Sequence, residues 1–211
     1  MPKTLTVNNC YTSSMTETPL HEHTFDKTQV IVERAVPADA AVMCDIRDRA
    51  WLAAYPNPEL AITEADILLN AKGPNGQFVP RRIAYLEQQI AAEDGIHDIT
   101  MVAKVGGKVL GFVNPSRDEQ NRRRIGALYV SPESQGLGIG GLLMRRVLEW
   151  WGNDEDIYLN VVSYNRNAIG FYEHFGFEAT DSVILPDPAQ PSYMKSLPLT
   201  EMVLRVQAKV A

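Results

Sequence analysis

The sequence predicts a mixed α/β fold, a largely antiparallel central sheet flanked by helices, and three observations predict it. Thr100 to Val105 and Val109 to Val113 are apolar, strand-like runs joined through Gly106-Gly107, a strong hairpin signal. Ile125 to Val130 passes through a glycine-rich turn, Gln135 to Gly141, into a helical pattern from Leu142 to Trp151. A further strand pattern, Ile157 to Val162, follows that helix, so one parallel βαβ step is built into an otherwise antiparallel set.

The remaining elements follow in chain order. Residues 1 to 28 are rich in Thr, Ser and Asn without sustained periodicity and read as an extension to a single domain covering 29–211. Val30-Ile31-Val32 suits a first strand. Pro37 and Asp39 suit a helix opening, and Val42, Ile46, Ala50 and Ala53 carry an apolar stripe to about Ala54. Pro56 and Pro58 end it. Thr63 with Asp66 reads as the cap of a second helix, Lys72 to Gln77 as a loop, and Arg81 to Ala92 as a third helix burying Ile83, Leu86 and Ile90. Asn114 to Arg124 reads as a polar turn, with Arg122-Arg123-Arg124 as solvated surface. Ala168 to Phe175 suits a short helix, and two closing strands flank the proline-rich loop Pro186 to Pro198.

Composition narrows the functional classes. With 211 residues, 45% hydrophobic and 22% charged, the chain suits one well-buried core. The net charge of −6 disfavours nucleic acid as a partner and leans towards cationic substrates. No apolar run approaches the roughly 20 residues of a membrane span, and the N-terminus lacks a secretory h-region, so no membrane partner and a cytoplasmic location are the expectations. The two cysteines, Cys10 and Cys44, read as free thiols. His21 and His23 have no evident further ligands and read as surface residues, so no metal is expected.

The glycine-rich turn carries the chemistry. N–H groups at a helix start lack intrahelical partners, and glycines let the main chain curl round a diphosphate. Gly136-x-Gly138-x-Gly140 has the wrong last interval for a dinucleotide fingerprint, and no Lys-Ser/Thr follows as in an ATPase phosphate loop. The turn matches Gln/Arg-x-x-Gly-x-Gly/Ala. Upstream lies Leu128-Tyr129-Val130-Ser131-Pro132; downstream, Asn165 to Phe177 matches Asn-x-x-Ala-x-x-x-Tyr-x-x-x-Gly-Phe. In these ordered motifs the chain resembles the GNAT N-acetyltransferase family.

That resemblance implies an acetyl-CoA-dependent N-acetyltransferase in which a primary amine attacks the thioester directly within a ternary complex. It implies diphosphate binding by the N–H groups of Gln135, Gly136, Leu137, Gly138, Ile139, Gly140 and Gly141. Leu128, Tyr129 and Val130 would offer their backbone to pantetheine and acetyl group, and Asn165 would bond pantetheine; Asn165 is equally a natural helix cap. Tyr172 would protonate the leaving thiolate, a role its neutral phenol suits, although the aromatic run Phe171, Tyr172, Phe175 also suits a core. Many relatives carry a Glu just before the Leu-Tyr-Val stretch as base; here Gly126-Ala127 stands there, and no base is assigned, Glu133 included. Arg145 and Arg146 read as a solvated helix face.

By fold analogy, acceptor choice lies in the first helices and the late loop. Trp51 and Tyr55 are candidates for an aromatic wall, and Tyr193 and Met194 for further contacts. Small amines, polyamines included, stand ahead of protein or peptide amines because the chain is acidic and has no evident peptide-docking module. An acyl-CoA-binding sensor without turnover stays open as an alternative class, and dimers are frequent in the family, so a homodimer is a further expectation.

Overall fold

A computed structural model describes residues 29–73, 76, 78–183 and 197–206. The expected extension 1–28, with Cys10, His21 and His23, lies outside the described residues, as do Tyr193 and Met194 of the late loop.

Among the described residues seven strands form one sheet in the order β1-β2-β3-β4-β5-β7-β6. β1 (Ile31–Arg34), β2 (Met101–Val105), β3 (Lys108–Arg117) and β4 (Arg123–Val130) are antiparallel neighbours. β5 (Ile157–Val162) runs parallel to β4, and β6 (Glu178–Val183) and β7 (Leu199–Leu204) close the sheet antiparallel beyond it. The hairpin turns on Gly106 and Gly107, both at positive φ.

The helices are α1 (Ala40–Ala54), α2 (Glu64–Lys72), α3 (Phe78–Ala92), α4 (Ile139–Trp151) and α5 (Arg166–His174). Pro37–Asp39 forms a 3₁₀ turn ahead of α1. The expected cap of α2 forms in full: the Thr63 hydroxyl accepts from the Asp66 N–H, and the Asp66 carboxylate accepts from the Thr63 N–H. α3 starts at Phe78, earlier than the Arg81 expected.

Two cores lie on opposite faces of the sheet. Leu143, Met144, Val147 and Trp151 of α4 pack with Val113, Ile125, Leu159, Met202, Tyr172 and Phe177. On the other face Met43 and Ile46 of α1 and Ile90 of α3 cover Val102, Val109 and Phe112. A smaller cluster, Ile62, Ile67, Val162 and Leu197 with Trp51 and Tyr55 against it, seats the α1–α2 segment on β5 and β7.

The polar stretch from Asn114 to Arg124 departs from the expectation. β3 continues through Pro115 to Arg117 and β4 starts at Arg123, so the turn is only about Asp118 to Arg122. Arg123 and Arg124 are consequently part of the sheet, and Arg122 closes the turn beside it, so the triplet is not a solvated turn. Arg123 is 6% exposed, pairs with Asp154 at 2.8 Å, and its guanidinium lies 6.0 Å from the Trp151 ring centroid. Arg124 meets Glu201 at 2.9 Å, and Arg122 lies over the Tyr158 ring. Carboxylates distant in sequence outcompeted water for these cations, a tertiary effect that local composition does not encode.

Candidate active site

The site begins where β4 and β5 part. Their parallel pairing covers Arg123↔Ile157, Arg124↔Tyr158 and Ile125↔Leu159, and then stops. β4 runs on to Val130 and β5 to Val162, so beyond Ile125 the β4 edge facing β5 has no strand partner. A bulge sharpens the departure. Asn114 pairs with Ala127 and Pro115 with Ile125, leaving Gly126 as the extra residue on β4. The bulge also resets the alternation, so that Ile125, Leu128 and Val130 face the α4 core while Ala127 and Tyr129 face α1 and α3.

The glycine turn closes one end of this opening. Pro132–Ser134 forms a 3₁₀ turn, Gly136 and Gly138 adopt φ of +76° and +84°, and α4 starts at Ile139, three residues ahead of expectation. Gly138 is the N-cap in a left-handed conformation that a side chain would strain. A Cβ on Gly140 would meet the Phe171 ring at 3.3 Å, which seats the first turn of α4 directly against α5. The Gln135 carboxamide donates to the Val130 carbonyl at 3.3 Å, folding the turn back on the end of β4. α4 has no acidic residue in its first turn, so its N-terminal N–H groups and the helix dipole face the opening uncompensated.

α5 supplies the third wall. The Asn165 side chain accepts from the Ala168 N–H at 3.1 Å, the helix cap expected of it. Seven residues further on, two turns along the same helix face, Tyr172 is 8% exposed. Its hydroxyl has no hydrogen-bond partner among the described residues. Burial pushes the Tyr172 phenol above the ordinary tyrosine value of 10.0, keeping it protonated.

The resulting cleft measures about 760 Å³. It brings together most of the residues singled out from sequence: Leu128, Tyr129, Val130, Gln135, Gly136, Gly138, Ile139, Gly140, Gly141, Asn165, Tyr172 and Tyr55. Leu137 and Trp51 stand outside its lining. Leu137 packs against the α4 core, and the Trp51 indole donates to the Tyr129 hydroxyl at 2.8 Å from within the α1–α2 cluster. Tyr55 meets the cleft edge-on to Trp51, with ring centroids 5.3 Å apart. Arg145 and Arg146 are exposed, and Arg146 pairs with Glu149 on its own helix.

Several lining residues were missed. Ala50, Ala53 and Ala54 of α1 line the cleft, and their i, i+3, i+4 spacing was a readable small-residue face. Asn160 and Tyr164 also line it, and the Tyr164 hydroxyl donates to the Tyr55 carbonyl at 3.0 Å, tying the end of α1 to the β5–α5 loop. Glu133 lies outside the lining. Its own backbone N–H, with Arg49 beside it, holds its carboxyl below the usual range. Cys44 is buried and also outside the lining, which removes it as a nucleophile for chemistry in the cleft.

A bulged, splayed strand pair facing a glycine-capped helix defines a class, and comparison with known proteins names it. A sequence profile of the Acetyltransferase (GNAT) family matches residues 45–177, and the chain belongs to that family. Among curated proteins, peptidyl-lysine N-acetyltransferase YiaC of Escherichia coli (strain K12) is 30% identical over 95 residues, 45% of this chain; the match spans 60% of that relative's length. Among solved structures, PaiA N-acetyltransferase of Thermoplasma acidophilum in complex with coenzyme A superposes with a TM-score of 0.63 at 15% identity, over 83% of this chain and 98% of that one. YncA of Salmonella typhimurium, solved with its cofactor acetyl-CoA, gives a TM-score of 0.57 at 19% identity, over 87% and 97% respectively. At these identities the structures establish a common fold, a mostly antiparallel open sheet flanked by helices.

Proposed function

We propose that the protein transfers the acetyl group of acetyl-CoA to a small primary amine by direct attack in a ternary complex. The observation that carries this reading is Tyr172, a residue 8% exposed whose hydroxyl is unpartnered among the described residues, in the cleft between the parted strands and the glycine turn. The cleft fits the donor on its own geometry. Main-chain N–H groups from Gln135 to Gly141 suit a diphosphate, and the free β4 edge at Leu128, Tyr129 and Val130 suits the amide-bearing pantetheine arm. Asn165 keeps its Nδ2 for a further bond while its Oδ1 caps α5.

Acetyl-CoA supplies an acyl group already activated as a thioester. The chain supplies positioning and protons. Tyr172 holds on its Oη the proton that the departing sulfur needs, and its burial keeps that proton in place at neutral pH. The free N–H groups of the β4 edge are the natural donors to the carbonyl oxygen. The proton leaving the amine has no carboxylate to receive it among the lining residues described, so it passes to water.

The activity of YiaC as a peptidyl-lysine N-acetyltransferase supports a second reading, acetylation of peptidyl lysine. The test is release of thiol from acetyl-CoA with an amine panel and a lysine peptide, run beside calorimetric titration with CoA. Turnover that Tyr172→Phe abolishes while CoA binding persists supports the enzyme. Tight CoA binding with no acceptor turned over means a sensor instead.

A further inference from the structure

We infer that the acceptor is a primary amine on an uncharged, flat or apolar body, and that polycationic amines are poor substrates. The inference rests on the proposed acetyl transfer and names the substrate class of that same site.

The acceptor end of the cleft is walled by Ala50, Ala53 and Ala54 of α1, with Tyr55 at the end of that helix and Tyr164 across from it. On the strand side stand Gly126 and Ala127 at the bulge. These are small or aromatic surfaces. The Tyr164 hydroxyl is already engaged, donating to the Tyr55 carbonyl at 3.0 Å, and the Asn165 side chain lies beside the Tyr55 hydroxyl. Tyr164 therefore offers a ligand its ring surface, next to the Tyr55 ring, in a space between α1 and β4 left open by alanine and glycine. Tyr172, a residue only 8% exposed whose hydroxyl is unpartnered among the described residues, marks where this space meets the reacting centre.

Charge settles the choice of body. Arg166 is the sole charged residue among the described residues lining the cleft, and it is cationic. A single ammonium gains from an aromatic face and needs only to shed a proton to react. Each additional ammonium of a polyamine would lose water with no carboxylate among the described lining residues to replace it, and the lining cation Arg166 adds a like charge. The overall charge of −6, which from sequence leaned towards cationic substrates, is thus not expressed among the described lining residues. A flat uncharged body instead buries its apolar area against alanine and tyrosine.

The experiment measures kcat/KM at saturating acetyl-CoA for 2-phenylethylamine, spermidine and a lysine-containing peptide, with calorimetric titration of each into the CoA complex. Phenylethylamine is expected to exceed both others by about tenfold or more, and to bind the CoA complex more tightly. Ala53→Glu, at an exposed helix position, places a carboxylate on the wall and is expected to move the spermidine-to-phenylethylamine ratio about tenfold towards spermidine. Spermidine or the peptide matching phenylethylamine with the unaltered protein overturns the inference, as does a ratio indifferent to Ala53→Glu. Failure of every amine to react overturns the acetyl transfer itself, a result distinct from a wrong order of preference.

Discussion

At the residue scale the proposed chemistry concentrates on Tyr172. In the proposed reaction its hydroxyl holds the proton for the leaving thiolate, and burial raises its pKa from the ordinary 10.0. Tyr172→Phe keeps the ring and its packing against Phe171 and Phe177 but removes the proton. Steady-state thiol release is expected to show kcat lower by about 10²-fold or more, with CoA affinity unchanged. The pH profile carries a second expectation. The rate rises as the acceptor amine deprotonates, and no descending limb appears up to about pH 10, because Tyr172 ionises only above its ordinary value. A limb falling through pH 8 or 9 assigns the proton to another group. Stability has the opposite trend at the alkaline end. Burial raises the phenols of Tyr55, Tyr129 and Tyr172 alike, so above about pH 10 the unfolded chain releases protons that the folded chain keeps. The stabilisation is complete below pH 10 and is lost as pH rises, which thermal melts across pH 8 to 11 would register as a falling Tm.

At the element scale the glycine turn and the splay are the parts that make a cleft out of a sheet. Gly138→Ala forces a side chain into the left-handed N-cap of α4, at a cost of about 1–2 kcal/mol, and tilts the N–H groups away from the diphosphate. Calorimetry is expected to show weaker CoA binding together with the lower Tm. Thr63→Ala removes the cap of α2 and is expected to cost about 1 kcal/mol without changing CoA affinity, since α2 does not line the cleft. Both elements were legible in the sequence, because caps and glycine turns are local chemistry. The splay was not. It depends on where the pairing of β4 with β5 stops and on the unpaired Gly126, a consequence of register between strands some thirty residues apart. The arginine triplet was misread for the same reason: its carboxylate partners, Asp154 and Glu201 among them, come from elsewhere in the chain.

For the whole molecule, the alternation of strand and helix patterns was enough to anticipate a mixed sheet flanked by helices, because periodicity survives without knowledge of contacts. The two ordered motifs singled out for the donor were equally readable, and the fold places both on one cleft. The acceptor side was less so. Tyr55 could be singled out as an aromatic at the end of α1, but the small-residue face of Ala50, Ala53 and Ala54, like Tyr164, becomes part of a site only because α1 packs across β4 beside the open end of the strand pair. The central claim is that acetyl passes directly from donor to amine while both are bound. Cys44, buried and outside the lining, offers no covalent way-station. An initial-rate matrix, varying acetyl-CoA against phenylethylamine and paired with intact-protein mass spectrometry after exposure to acetyl-CoA alone, tests this most directly. Intersecting double-reciprocal lines and an unmodified protein are the predicted result; parallel lines with an acetylated protein would contradict it.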